Sequence, residues 1–331
     1  MAKEQCTGKL HLRKKKNGLR KMENKIYFHT NKRFMKLLAP LVILFSSLSI
    51  FGQDSMSVNY KIYDTRTKQI VTIDKIVTDM ADADVLFFGE EHNDSAGHYL
   101  ENKIFRALHA AYGDKIVLSM EMFETDNQTA LDDYLQGFID EARLAKDARL
   151  WSNYKDYRPM VDYAKQNKIP VIAANPPRRY VSLVTRRGMK ALDSLSKDAK
   201  KFLPPLPYDT LSGRYREKFM EIMKGAPESS SRNVYYSQSL WDAGMSYSIY
   251  KYLRSHKHKK IFHCVGGFHT EEKLGTAAQL QLRNKKLKIL NIASFSDKAF
   301  NEPDPMATGW EQFSNRGDYI IITNPDLKKT F

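Results

Sequence analysis

Short apolar segments alternate with longer amphipathic segments through most of the chain. This alternation favours parallel strands joined by crossover helices. It predicts an α/β fold with a mostly parallel central sheet flanked by helices. The predicted strands are VLFFG (85–89), KIVLSMEMF (115–123), IPVIAAN (169–175), KIFHCVGG (260–267), LKILNIASF (287–295) and DYIIITN (318–324).

Several segments between these strands have the spacing of amphipathic helices. In GHYLENKIFRALHAAYG (97–113), Leu100, Ile104 and Leu108 fall on one face, and Gly113 provides a stop. Two further crossover helices are predicted in NQTALDDYLQG (127–137) and RPMVDYAKQNK (158–168). The region from about 191 to 252 is longer and mostly helical by pattern, so we expect a helical insertion between two core strands.

The first 52 residues differ from the rest and predict a basic leader with a signal peptide. Residues 1–36 hold 12 of the 53 Lys and Arg residues and only 2 of the 38 Asp and Glu residues, so they carry +10 of the net charge of +15. The apolar run 37–51 is 15 residues long, and a membrane span needs about 20. We expect an export signal cleaved near Gly52, with an uncleaved anchor as the alternative.

Residues 53–331, after the leader, are predicted to form one α/β domain that is exported to the periplasm or the cell envelope. Because the basic charge lies mostly in the leader, the charge gives no ground for a nucleic-acid partner, and none is expected. Cys6 lies in the leader and Cys264 in the domain, and no other cysteine occurs. No cysteine therefore comes directly after the apolar run, and the acylated cysteine of a lipoprotein is missing.

Polar residues collect where the predicted strands end. Glu90 and His92 follow the first strand, Glu121 lies near the end of the second, and His269 follows the fourth. Ligands bind at this edge of open parallel sheets, and a carboxylate there is costly to bury unless it is paired or coordinating an ion. These four residues are the candidate catalytic groups, and Glu90, His92 and His269 are the candidate ligands of a divalent metal ion.

Three other residues are candidates for binding a cofactor. His98 falls near the start of the first helix and either faces the same cleft or packs elsewhere. Arg178 and Arg179 follow the third strand and suit a carboxylate or phosphate group. The alternative is that both arginines are surface residues in the first turn of a helix.

Several blocks of the sequence resemble the ChaN family. They are GEEHNDSAGH, EMFETDNQTALDDYLQG, YRPMVDYAKQNKIPVIAANPPRRY, SLWDAGMSYSI and GGFHTEEKLG, within residues 70–300. The resemblance implies an exported haem-binding protein of iron acquisition, associated with the cell envelope. It also implies a homodimer that stacks haems face to face with tyrosine on iron, but no motif singles out one tyrosine.

The wider superfamily supplies a second implication. It includes Tiki-type metal-dependent proteases and erythromycin esterases, whose glutamate and GxxH motifs fall on Glu90 and His92 in GEEH, on Glu121, and on His269 in GGFH. Haem binding is therefore the first predicted function. The alternatives are a metal-dependent hydrolase, in which Glu121 or Glu90 takes a proton from water, and a binding module without catalysis.

Overall fold

The computed structural model describes residues 56–302 and 310–331. The leader and its apolar run lie outside these residues, so the export signal stays a prediction. In the described ranges, every helix is too short or too polar to cross a bilayer.

One mixed sheet forms the centre of the described chain. Its strand order is β2-β1-β8-β7-β3-β6-β4-β5. β1 runs antiparallel to both of its neighbours, and the remaining pairs are parallel. The strands are β1 (Tyr60–Asp64), β2 (Gln69–Val71), β3 (Val85–Glu90), β4 (Ile116–Glu124), β5 (Val171–Asn175), β6 (Lys260–Gly266), β7 (Ile289–Ser296) and β8 (Tyr319–Thr323).

This architecture confirms the predicted α/β class and all six predicted strands, whose ends shift by one or two residues. β1 and β2 were not predicted. β2 has three residues, and β1 (YKIYD) interleaves apolar with charged positions. Neither strand forms the continuous apolar run that marked the buried parallel strands.

Helices cover both faces of the sheet. They are α1 (Ile73–Asp79), α2 (Ser95–Tyr112), α3 (Gln128–Gln136), α4 (Glu141–Asp147), α5 (Tyr154–Asn167), α6 (Arg178–Arg187), α7 (Lys197–Lys200), α8 (Arg214–Ile222), α9 (Glu228–Ser255) and α10 (Gly275–Arg283). The predicted helices 97–113, 127–137 and 158–168 correspond to α2, α3 and α5.

The two faces of β3 show how the layers form. Leu86 and Phe88 pack in the larger apolar cluster with residues of α2 and α5. Val85 and Phe87 point to the opposite face, into the cluster formed with α9 and α10. Successive side chains of a strand alternate between faces. A strand that is apolar at every position is therefore buried between two helical layers.

The long segment between β5 and β6 contains α6 to α9. Met245 and Ile249, in the second half of α9, pack against the sheet. This half of α9 is thus the crossover helix that leads to β6, and the part before it forms separate apolar clusters beside the sheet.

Gly244 lets α9 approach the loop after β5. A Cβ atom added at Gly244 would lie 2.6 Å from Cδ and 2.8 Å from Cγ of Pro176. The proline ring is stiff, so relieving this contact requires α9 to move away from the loop that leads to Arg178.

We expect Gly244→Ala to lower the free energy of unfolding by about 1–3 kcal/mol, because overpacking outweighs the helix preference for alanine. Denaturant titration measures this. Lys251→Ala, at an exposed position of the same helix, should stay within about 0.5 kcal/mol of the parent chain. A Gly244→Ala chain as stable as the parent would show that the contact with Pro176 relaxes freely.

Candidate functional site

A pocket of about 810 Å³ opens at the carboxyl ends of the central strands. His92 lies two residues after β3, Glu124 ends β4, and Arg178 begins the helix after β5. The lining is His92, Glu124, Arg149, Leu150, Trp151, Ser152, Asn153, Arg178, Arg179 and Phe331. The pocket therefore lies at the sheet edge where the sequence predicts ligand binding.

Glu90 anchors the polar residues beneath this pocket. Its side chain is buried at the end of β3. The Oε1 atom accepts hydrogen bonds from the Tyr157 hydroxyl at 2.7 Å and from Nδ1 of His92 at 2.8 Å. Burial opposes the negative charge, but the hydrogen bonds from His92 and His98 hold the pKa of Glu90 below its usual value.

His92 connects this buried carboxylate to the pocket. Its ring contacts Trp151 edge to face, with the ring centroids 5.2 Å apart, and its side chain is 37% exposed. Burial lowers the pKa of His92, but the hydrogen bond to Glu90 and the charges of Glu121 and Glu90 outweigh it and raise the pKa to about 9. His92 is therefore an imidazolium at neutral pH.

His98 does not line the pocket, although the sequence placed it among the cofactor-binding candidates. It is 5% exposed. Its Nε2 atom lies 3.0 Å from the carbonyl oxygen of His92, and its Nδ1 atom lies 3.2 Å from Oε2 of Glu101. Burial lowers the pKa of His98, but the hydrogen bonds to Glu101 and Glu90 raise it well above the usual value.

Glu121 and His269 form a second acid–imidazole group. Oε2 of Glu121 accepts the backbone N–H of Gly266 at 2.7 Å, and Oε1 lies 3.8 Å from Nε2 of His269. The pairing of β4 with β5 shifts register between Met120 and Glu124. A register shift of this kind re-aims side chains, and Glu121 lies within it.

Asp242 orients His269 and was not among the predicted residues. Its Oδ1 atom lies 2.7 Å from Nδ1 of His269 and accepts the Thr276 hydroxyl at 2.9 Å. The Tyr215 hydroxyl donates to Oδ2. Burial lowers the pKa of His269, but the charge and hydrogen bond of Asp242 raise it. The available sequence signal was a charged residue in the SLWDAGMSYSI block.

The two groups meet at Gly266. A Cβ atom there would lie 2.9 Å from Nε2 of His92 and 3.6 Å from Oε2 of Glu121. The four predicted catalytic residues thus converge at one sheet edge. The predicted metal ligands Glu90, His92 and His269 do not form a compact set of donor atoms. Among the described residues, the donors within 4.8 Å of one another belong to Glu90, His98 and Glu101.

The arginines at the pocket rim differ in their partners. Arg149 pairs with Glu124 at 2.7 Å and with Asp126 at 2.6 Å, and Arg179 also pairs with Asp126. Arg178 is exposed and makes no ion pair within the described ranges. The rim therefore has more positive than negative charge.

Comparison with known proteins gives a family and a fold. A family model described as haem-binding uptake, Tiki superfamily, ChaN matches residues 76–280. A solved structure described as cofacial haem binding to ChaN of Campylobacter jejuni aligns at a TM-score of 0.60 and 19% identity, over 80% of this chain and 97% of that one. At this identity the likeness shows the fold alone.

Two other solved structures align with TM-scores below 0.5 and carry no argument. A Bacillus cereus protein aligns at 0.45 and 13% identity, over 77% of this chain and 92% of that one. An erythromycin esterase mutant in its open conformation aligns at 0.43 and 10% identity, over 71% and 76%. No curated protein matches the chain.

The His92 imidazole should titrate at about pH 9 in an NMR experiment. Because this value exceeds the ordinary 6.5, protonated His92 contributes stability that is fully present below about pH 6.5 and is lost as the pH rises through 9. Glu90→Gln removes the main partner and should move the titration toward 6.5. Asp242→Asn, which acts on His269, should leave it in place. A wild-type titration midpoint near pH 6.5 would contradict the ion pair between His92 and Glu90.

Proposed function

The chain belongs to the ChaN family of haem-binding uptake proteins in the Tiki superfamily, and we propose that it binds haem in the pocket at the carboxyl edge of its sheet. The observation that carries this proposal is a pocket whose lining combines aromatic side chains with three arginines. The comparisons do not favour the hydrolase alternative.

The apolar part of the lining suits the flat face of a porphyrin. Trp151 and Phe331 both border the pocket, and Phe331 is 69% exposed. Ligand pockets are lined mainly by hydrophobic and aromatic side chains. At about 810 Å³ the pocket also falls within the range usual for ligands of this class.

The charged part of the lining suits the two propionates of haem. Arg178, which has no ion-pair partner in the described part of the chain, can pair with one carboxylate, and Arg179 can exchange Asp126 for the other. Arg149 stays bound to Glu124 and Asp126, which fixes the rim. Charge-assisted hydrogen bonds of this type are among the stronger polar contacts.

Two classes of side chain are candidate ligands of the haem iron, tyrosine and the imidazole of His92. The resemblance implies tyrosine, but the lining of the described part contains none. His92 is the imidazole that borders the pocket, and it is held by Glu90. A tyrosinate and an imidazole give ferric haem different absorption spectra, so titration of the full chain identifies the class of ligand.

We further propose that the protein is exported, acts in haem and iron acquisition, and forms a haem-bridged homodimer. The basic leader followed by the apolar run 37–51 supports export. Support for the dimer comes from the Campylobacter jejuni relative, whose structure is described with cofacial haem binding. The missing lipoprotein cysteine argues against a lipid anchor. It favours residence in the periplasm or association with the envelope through another protein.

Export predicts that the mature chain begins near residue 53 and is found outside the cytoplasm. Fractionation of the producing cells with N-terminal sequencing measures both. A full-length chain in the cytoplasmic fraction would contradict this part of the proposal.

Haem binding predicts a saturable change in the Soret band on titration with ferric haem, with a shift to dimer in gel filtration. Arg178→Ala with Arg179→Ala should weaken the affinity about 10- to 100-fold, because charge-assisted hydrogen bonds are lost. Arg186→Ala with Arg187→Ala removes two exposed arginines from the other end of the same helix and should change little.

Haem dimethyl ester supplies a second control, since it lacks the propionate charges. The arginine substitutions should leave its affinity nearly unchanged. Equal losses for haem and its ester would place the propionates away from Arg178 and Arg179. A spectrum that stays that of free haem would refute the haem proposal itself.

A further inference from the structure

Glu90, His98 and Glu101 form a compact set of donor atoms below the pocket. Glu90 ends β3, and His98 and Glu101 lie three residues apart in the first turns of α2, on the face that packs toward the sheet. Nδ1 of His98 lies 3.1 Å from Oε2 of Glu90 and 3.2 Å from Oε2 of Glu101. All three residues are buried.

One carboxylate oxygen in this set lacks a hydrogen-bond donor. Oε1 of Glu101 is buried without a hydrogen-bond partner, and Glu101 is completely inaccessible to solvent. An unsatisfied buried carboxylate oxygen is costly, and coordination of a cation is one of the few ways to offset that cost. This oxygen points to a ligand independently of the clustering of the acids.

We propose that Glu90, His98 and Glu101 bind one divalent transition-metal ion of the zinc type. Zinc binds imidazole nitrogen and carboxylate oxygen at about 2.0–2.2 Å, so ligands at tetrahedral positions lie about 3.3 Å apart. The spacings of 3.1 and 3.2 Å from His98 to the two carboxylates are close to this value. The site is distinct from Glu121 and His269 and adds to the proposed haem function.

The hydrogen bonds of His98 present the correct nitrogen to the ion. Its Nε2 lies 3.0 Å from the carbonyl oxygen of His92. A carbonyl only accepts, so Nε2 carries a hydrogen and Nδ1 faces the two carboxylates. Metal-ligating histidines commonly donate their other N–H to such a group, which fixes the tautomer. The Tyr157 hydroxyl orients Glu90 in the same way through Oε1.

The charge of the set matches a divalent ion. Two carboxylates and one neutral imidazole balance the two positive charges of the ion, so the buried site carries no net charge when it is loaded. Metal ligands must be deprotonated, so affinity should increase with pH. His92 contacts Glu90 and also lines the pocket, so the set lies directly below the pocket.

The experiment uses the full chain, stripped with a chelator and titrated with Zn²⁺ against a chromophoric competitor. We expect one ion per chain, with Mg²⁺ failing to compete. Glu101→Gln keeps the shape of the side chain and should weaken Zn²⁺ binding about 100-fold or more, since loss of even an outer-shell partner costs about 10- to 100-fold. Glu121→Gln removes a buried carboxylate from the neighbouring group and should change affinity far less.

X-ray absorption of the zinc-loaded wild-type chain identifies the ligands of the ion even if Glu101→Gln fails to fold. The proposed set contributes one imidazole to zinc, whereas a site built on His92 and His269 contributes two. One imidazole with oxygen ligands supports the proposal. Two imidazoles, the absence of stoichiometric Zn²⁺ binding, or a larger loss in Glu121→Gln than in Glu101→Gln would overturn it. None of these readouts depends on haem.

Discussion

The buried carboxylate of Glu90 is the constraint on which the rest of the site depends. It ends a strand in which every residue is buried, and a charge there is stable only when its surroundings supply donors. Tyr157 of α5, His92 of the following loop and His98 of α2 provide them. One carboxylate therefore ties together the strand, its loop and two helices of the same layer.

This arrangement divides the carboxyl edge of the sheet into a solvent-accessible pocket and a buried polar group. His92 connects the two, because its Nδ1 atom contacts Glu90 while its side chain borders the pocket. Trp151 and the rim arginines line the pocket, and Glu101 and His98 belong to the buried group. The low dielectric constant around the buried group strengthens its charge interactions and makes each polar atom without a hydrogen-bond partner more costly.

The sequence predicted the strands and the polar edge well, for a definite reason. Parallel strands buried on both faces are continuous apolar runs, and their carboxyl ends meet at one edge. Glu90, His92, Glu121 and His269 could therefore be brought together without knowing any helix packing. β1 and β2 were not predicted because they are short and neither forms a continuous apolar run.

The partners of those residues could not be predicted in the same way. Asp242 lies 27 residues from His269, and Tyr157 lies 67 residues from Glu90. Each comes from a helix whose rotation about its axis depends on packing, not on a motif. Glu101 lies in an amphipathic helical segment, where a polar residue carries no special signal. The sequence predicts His98 near the start of that helix, but the direction of its side chain follows only from its contacts with Glu101 and the His92 carbonyl.

The proposed haem and metal sites would not be independent, since Glu90 serves both. The charge of Glu90 is a principal reason that His92 stays protonated. A divalent ion bound to Oε2 of Glu90 would partly neutralise that charge and so lower the pKa of His92. Neutral imidazole ligates iron, whereas imidazolium does not. A metal below the pocket would thus favour an imidazole ligand within it, and by reciprocity haem ligation through His92 would favour the metal.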